Sequence, residues 1–315
     1  MKLRVTQLKW EAAGIVSVVL RSPTGDRLPA WAPGAHVAVT LPSGLVRQYS
    51  LCGPADDPYS YTIAVLLVGD GRGGSREIHQ RLRIGEVLEV GEPRNNFALS
   101  DAPRYLFLAG GVGITPILSM IESLRGRTDP PPWRLVYGGR DRAAMAFLDR
   151  VQASDGVDVI PQDEAGLPDI AGALADSPPG TAVYCCGPPA MIAAVSDACA
   201  RHPGLDLHVE RFAAAAGDVP PTVDGDGAFD VELARSGVTV TVPAGTSVLD
   251  AVLEVNPDTA FSCAAGFCGT CETKVLAGEV DHRDELLSED ERRSNATMMI
   301  CVSRSRGGSR LTLDL

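Results

Sequence analysis

No apolar run in this chain approaches the roughly twenty residues that a membrane-spanning helix needs. The longest stretches, such as Tyr105–Ala109 and Ala182–Cys186, are the length of a β-strand. No membrane partner is therefore expected. Met1–Trp10 mixes charged with apolar residues and lacks the apolar core of a signal peptide, which leads us to expect a cytoplasmic protein. Positive charge is scarce: 28 Lys and Arg face 40 Asp and Glu, for a net charge of −12. Such a chain repels phosphate backbones and anionic lipid, so nucleic acid is not an expected partner. The five histidines, His36, His79, His202, His208 and His282, share no metal-binding spacing. Each reads as a surface or structural residue.

What remains is ample. At 315 residues and 45% apolar content the chain is too long for one core and rich enough for two or three. Residues 3 to about 99 read as short alternating strands, Ile15–Leu20, His36–Leu41, Tyr61–Leu67 and Val87–Val90, separated by Gly and Pro turns. Closure into an antiparallel β-barrel would hide their edges. From Pro103 buried strands alternate with helices: Tyr105–Ala109 then Thr115–Leu124, Arg134–Tyr137 then Ala143–Ala153, Ala182–Cys185 then Ala190–Cys199. That alternation specifies a parallel sheet. Ala213–Gly227 has nothing to bury and reads as a linker. Beyond it come strands Val231–Leu233 and Val238–Val242, a helix over Ser247–Glu254, a cysteine loop and a closing strand Leu311–Leu313.

The expected architecture is multidomain: an antiparallel β-barrel over 1–100, an α/β parallel-sheet domain over 101–214, a linker over 215–227 and a compact α+β domain over 228–315. From Asp226 onward 15 acidic residues meet 8 basic ones, a local charge of −7. That is either a solvated surface or a face for a positively charged redox partner.

Four of the eight cysteines fall in the last 55 residues. Cys263, Cys268 and Cys271 are spaced C-x4-C-x2-C, with Cys301 thirty residues on. This is the plant-type ferredoxin spacing, in which three thiolates on one loop and a fourth from a distant segment hold a [2Fe–2S] cluster. Zinc would favour two C-x2-C pairs, a Rieske centre would need two histidines, and disulfides conflict with the expected compartment. Ser262–Cys271 together with Met298–Ser305 resembles plant-type ferredoxin, although Ala264 stands where many such ferredoxins carry Arg.

Two further motifs lie in the expected barrel. "RQYSL" at Arg47–Leu51, placed between strands, offers a cation for phosphate, an aromatic face for a flat ring and a hydroxyl for a ring nitrogen. "GRGGSREIH" at Gly71–His79 is a glycine turn opening a helix, suited to a phosphate. "AGGVGITP" at Ala109–Pro116 follows a strand; its glycines admit a pyrophosphate, and Thr115 can cap the helix. It departs from G-x-G-x-x-G at Pro116 and has no acid on a strand about 20 residues later, which argues against an ordinary Rossmann dehydrogenase.

These motifs, in this order and over essentially the whole chain, resemble the ferredoxin reductase superfamily and, through "GGS", its phthalate dioxygenase reductase and vanillate demethylase reductase branch. The resemblance implies FMN rather than FAD, with Arg47 and Ser75 on the phosphate, Tyr49 on the isoalloxazine face and Ser50 at the reactive N5 edge. Gln48, Leu51, Gly73 and Gly74 would complete that site, with Ala64, Val65 and Leu66 along the ring. It implies a nicotinamide site from Gly111, Val112, Gly113 and Thr115, from Arg140 and Asp141, and from Cys186, Gly187 and Pro188, with Phe212 near the flavin. Ser50 and Cys186 would sit on the hydride path, and a β-grasp fold would carry the cluster. Cys52, Cys185 and Cys199 read as small buried hydrophobes.

The implied activity is hydride transfer from NADH to FMN, then single electrons through the [2Fe–2S] cluster to a separate terminal oxygenase. That oxygenase would be a Rieske non-haem iron enzyme or, alternatively, a cytochrome P450. Arg140 could meet a 2′-phosphate, which keeps NADPH open, and a monomer is expected. An iron-storing module without turnover would leave "RQYSL" and the glycine turns without a purpose; flavin absorbance separates the two.

Overall fold

The structure, a computed structural model, describes residues 1–69, 73–152, 155–212 and 226–315. Gly71 of the glycine turn, Ala153 and residues 215–225 of the expected linker lie outside the described residues. The chain divides into two compact units, Met1–Ala213 and Ala214–Leu315.

The first unit holds two sheets. β1 (Lys2–Ala12), β2 (Ile15–Arg21), β3 (His36–Thr40), β4 (Val46–Ser50), β5 (Ser60–Leu66) and β6 (Val87–Val90) pair antiparallel in the order β4-β3-β6-β1-β2-β5. A bridge from Leu51 to Ile63 joins the β4 and β5 ends, so the edges meet as the turn-rich alternation predicts. Helix α1 (Gly74–Gln80) buries Ile78 against the interior formed by Leu3, Val18, Val37, Val39 and Leu88. The "RQY" and Ser50 of the motif lie within β4 itself, not between strands.

The second sheet is parallel. β7 (Arg104–Gly110), α2 (Ile114–Arg125), β8 (Trp133–Gly139), α3 (Leu148–Val151), β9 (Val157–Pro161), α4 (Gln162–Ala165), α5 (Ile170–Ala175), β10 (Thr181–Cys186), α6 (Pro189–Cys199) and β11 (Asp206–Glu210) follow in turn. Strand order is β11-β10-β7-β8-β9. Its central strands β7 and β10 are near-continuously apolar because both faces are covered, whereas the edge strands β9 and β11 are only half-buried. On one face Phe107, Tyr137 and Tyr184 pack with α2 and with Ala12, Ile15, Cys52 and Ala64 of the barrel. On the other, Leu106, Val183 and Cys185 pack with α5 and α6.

Two local expectations change. The helix expected over Ala143–Ala153 is a 3₁₀ turn at Arg142–Ala144 and one α-turn at α3. Asp141 accepts the Ala144 amide at 2.9 Å, and Phe147 then takes a left-handed φ of 59° to bury its ring, which breaks the run. Thr115 does not cap α2. It lies inside the first turn, 2% exposed, and its Oγ1 donates to Val112 O at 3.0 Å.

The second unit is a mixed sheet. β12 (Phe229–Leu233) and β13 (Val238–Val242) precede α7 (Val248–Leu253), which Ser247 caps through the Asp250 amide at 3.0 Å. β14 (Glu272–Ala277), β15 (Val280–Asp281), α8 (Glu289–Ser294), β16 (Thr297–Met299), β17 (Arg304–Ser305) and β18 (Leu311–Leu313) complete it. The order is β13-β12-β18-β14-β16 with β12 and β18 parallel, and β15 pairs with β17 apart. A core of Val231, Leu233, Val248, Val252, Met299 and Ile300 lies beneath α7.

Candidate flavin, nucleotide and cluster sites

On β4 the side chains of Arg47, Gln48 and Tyr49 are half-buried and Ser50 is buried. The glycine turn lies directly against this strand. A Cβ on Gly74 would come within 2.9 Å of the Arg47 side chain, and Gly73 holds a φ of 89° that glycine tolerates. Ser75 Oγ accepts the Val68 amide at 3.1 Å, tying the turn to the end of β5. Burial, only partly offset by Arg47, pushes the Tyr49 phenol well above its ordinary pKa, so it stays a neutral aromatic. The side chains of Ala64 and Val65 are enclosed in the two cores, whereas Leu66 is exposed. Leu51 is buried within the barrel.

In the parallel sheet the two glycine-bearing turns close on each other. A Cβ on Gly113 would stand 2.1 Å from Cys186 O, and one on Gly110 2.5 Å from Pro188. A Cβ on Gly187 would stand 3.1 Å from Gly110. Gly111 has a φ of 55° with open space around it, and Val112 is half-buried beside it. Both turns lie at the carboxyl ends of adjacent parallel strands, where α/β sheets bind ligands. Arg140 and Asp141 follow β8; Arg140 is 81% exposed with Nε 3.5 Å from Asp141. Phe212 is exposed at the end of the described part of this unit and is not packed among these residues.

Ser50 joins the two halves. Its Oγ donates to Glu210 Oε2 at 3.3 Å, and Glu210 sits level with Cys186 in the β10–β11 pairing. Arg150 makes a second tie, donating to Cys52 O at 3.1 Å and to Glu122 at 2.6 Å. Cys186 is fully buried, and desolvation first, then the Glu210 charge, pushes its thiol well above the ordinary value. It is a neutral thiol. Desolvation also pushes the Glu210 carboxyl up to about 8, against a smaller opposing effect of the Ser50 hydrogen bond. Sequence reading missed Glu210, whose one signal is an acid ending a half-buried parallel strand.

A consequence follows for pH. Between the ordinary carboxylate value of 4.5 and about 8 the folded unit binds a proton that the unfolded chain releases. Stability from this group is complete below the lower value and falls as pH rises through the window, by up to about 1.4 kcal/mol per pH unit. Thermal unfolding at pH 6 and pH 8 should show a larger loss for the parent than for Glu210→Gln. Equal losses would place the titration elsewhere.

In the second unit the four cysteines converge. Cys263 hydrogen-bonds with Cys268 and with Cys301, and Cys301 with Cys271. The amides of Cys263 and Ala265 donate to Cys268 and Cys263 sulfurs, each at 3.3 Å, and Thr270 Oγ1 lies 3.3 Å from Cys268 Sγ. Positive φ at Ala264, Gly266 and Gly269 turns the loop's amides inward. The thiol of Cys268 is raised by the Cys263 hydrogen bond and by burial. That of Cys301 is lowered by its bond with Cys263 but raised more by Cys271 and burial, to about 12. Among the described residues no three donors close around one point where a single ion would sit. Four mutually contacting thiols, three on one loop and the fourth from a distant segment, fit the ligand set of a two-iron cluster.

Comparison with known proteins agrees. Residues 231–306 match the family model "2Fe-2S iron-sulfur cluster binding domain". Phenoxybenzoate dioxygenase subunit beta of Ectopseudomonas oleovorans is 41% identical over 100% of this chain and 97% of its own length. The solved phthalate dioxygenase reductase, described as a modular structure for electron transfer from pyridine nucleotides to [2Fe–2S], is 35% identical. Its TM-score is 0.72, and the match covers 100% of this chain and 98% of that one. An intact type IV self-sufficient cytochrome P450 monooxygenase matches with 42% identity and a TM-score of 0.83; this chain spans 41% of its length.

Proposed function

The chain belongs to the phthalate dioxygenase reductase family, and from that premise we propose how its own residues divide the work. It is a reductase that takes hydride from NADH onto FMN and passes single electrons through a [2Fe–2S] cluster to a separate terminal oxygenase. The flavin supplies the conversion of a two-electron donor into one-electron deliveries.

Arg47 and Ser75, with Gly73 and Gly74 giving close approach, hold the flavin phosphate. Tyr49 packs on the ring as a neutral aromatic; Gln48, Ser50 and Leu51 line the same edge, with Ala64, Val65 and Leu66 along β5. Gly111, Val112, Gly113 and Thr115 take the pyrophosphate side of the nucleotide, and Cys186, Gly187 and Pro188 the nicotinamide side. Phe212, exposed in this structure, would reach the flavin only by turning toward it. The Ser50–Glu210 contact is the observation that supports this reading, because it ties β4 to β11, whose Glu210 pairs with Cys186 at the end of β10. Neutral Glu210 keeps a proton at its carboxyl beside Ser50 Oγ, and buried Cys186 keeps water from that edge. Cys263, Cys268, Cys271 and Cys301 hold the cluster. We take residues 1–100, 101–214 and 228–315 as the three domains.

NADH is favoured over NADPH at Arg140 and Asp141 by charge pairing. Arg142 lies 3.1 Å from Glu164 and Arg140 3.5 Å from Asp141, so each cation after β8 has a carboxylate neighbour that a 2′-phosphate would have to compete with. A cytoplasmic monomer completes the reading; no described helix is long and apolar enough to cross a membrane. The terminal partner is a Rieske-type oxygenase; a cytochrome P450 is the second reading, favoured by the covalent P450 arrangement of one relative.

Anaerobic titration tests the whole scheme. About 1.5 equivalents of NADH should bleach flavin and cluster together, two electrons to the flavin and one to the cluster, and in steady-state assays kcat/KM for NADH should exceed that for NADPH at least tenfold. Absence of flavin or iron after reconstitution, or an NADPH preference, would overturn it. Reconstitution with a Rieske oxygenase and with a P450, side by side, identifies the acceptor.

A further inference from the structure

Residues 281–285 read Asp-His-Arg-Asp-Glu, a run of charge that an exposed turn would carry without penalty. Here it is largely buried. Asp284 is 4% exposed, and the side chains of His282 and Arg283 are 5% and 12% exposed. Buried charge persists where it is paired and hydrogen-bonded, and these partners lie on both cluster-bearing segments.

Gly266, between Cys263 and Cys268, donates its φ of 80° to a tight fit: a Cβ there would reach Val302 at 2.8 Å and Asp284 Cα at 3.2 Å. The Glu285 amide donates to Gly266 O at 3.1 Å. Val302 and Ser303 directly follow Cys301. Ser303 Oγ donates to Asp284 Oδ1 at 3.5 Å and accepts the Arg283 amide at 3.2 Å. The other Asp284 oxygen accepts the amides of Leu286 and Leu287 at 3.2 and 2.7 Å. Arg283 donates to both oxygens of Asp226 at 2.6 and 2.8 Å. Arg292 Nη2 and His282 Nδ1 each lie 3.8 Å from the Asp284 carboxylate.

We propose that Asp284 is a positioning residue for the cluster: with Arg283 and Ser303 it braces the loop bearing Cys263, Cys268 and Cys271 against the segment bearing Cys301, and its enclosed negative charge holds the cluster's reduction potential down. The proposal rests on the [2Fe–2S] reading of the four cysteines. A fixed charge in low dielectric opposes the arrival of an electron nearby, and local charge and hydrogen bonding are the protein's means of setting such potentials. Arg292 offsets part of that field, whereas burial lowers the His282 pKa and keeps that ring neutral.

Asp284→Asn is nearly isosteric, keeps an acceptor for Leu286 and Leu287, and removes the charge. Ser303→Ala keeps the charge and removes the bridge. Full-length holoprotein is assayed for iron, acid-labile sulfide, cluster potential, the EPR signature of the reduced form and iron loss to a chelator. With parent-like iron, Asp284→Asn should show at least a threefold higher reduced-to-oxidised ratio at fixed poise, about 28 mV at 59 mV per tenfold. Ser303→Ala should lose iron at least threefold faster and change the EPR line shape. Full cluster with unchanged potential in Asp284→Asn overturns the proposal. If Asp284→Asn holds less than half of the parent's iron, Ser303→Ala decides, and parent-like EPR and iron retention there overturn it. A parent without iron or sulfide fails the cluster reading itself.

Discussion

Cys268→Ala should leave NADH-driven reduction of a flavin-level dye acceptor within about twofold of the parent while reduction of cytochrome c or of the oxygenase falls to background. Cys268 Sγ accepts the Cys263 amide and contacts the Cys263 thiol. Alanine removes one of four required thiolates. The damage is local for a physical reason. The second unit has its own core of Val231, Leu233, Val248 and Met299, and the flavin and nucleotide motifs lie in the other unit. Hydride chemistry therefore survives without the one-electron exit. Iron content should fall with the second activity. Equal loss of both activities would contradict the order of electron flow.

Gly113→Ala should be a severely damaging single methyl. The new Cβ would lie 2.1 Å from Cys186 O, 2.5 Å from its carbonyl carbon and 2.9 Å from Gly187 N. All three are backbone atoms, so no rotamer relieves the overlap. Gly113 itself has an ordinary helical φ of −61°, which makes space and not conformation the constraint. Overpacking of this kind costs about 3 kcal/mol or more, enough to lower Tm by roughly 6–12 °C for a unit of this size. Parting the two turns by about 1 Å can also cost on the order of 100-fold in kcat/KM for NADH. Gly111→Ala is the control. Its φ of 55° is unfavourable to alanine but nothing lies within 4 Å of the added atom, so about 1 kcal/mol is expected. A Gly111→Ala variant that loses as much Tm as Gly113→Ala would remove the packing argument.

Much of the fold is legible in local pattern. Strands Val87–Val90, Val238–Val242 and Leu311–Leu313 end where alternation and turn residues place them, and helix α6 where its apolar spacing does. The failures are informative. Ala143–Ala153 has helical composition, yet burial of Phe147 against Met120 and Tyr137 in the shared core outweighs propensity. Thr115 sits where a cap is plausible, but its hydroxyl turns back to Val112 because the 3₁₀ turn at Gly111–Gly113 already begins the helix. β9 and β11 escape notice because short half-buried strands carry weak periodicity.

By itself the sequence determined the chemistry available: four thiols at cluster spacing, a cation–aromatic–hydroxyl run, and glycine turns, each encoded within a few neighbouring residues. Only the tertiary structure decided which distant groups meet. Ser50 reaches Glu210 across 160 positions, Gly113 closes on Cys186, and Asp284 ties Gly266 to Ser303. Spacing along a chain dictates which residues share a loop, whereas strand pairing and the exclusion of water from the core dictate which loops share a site and how far a buried carboxyl such as Glu210 is driven from its ordinary pKa.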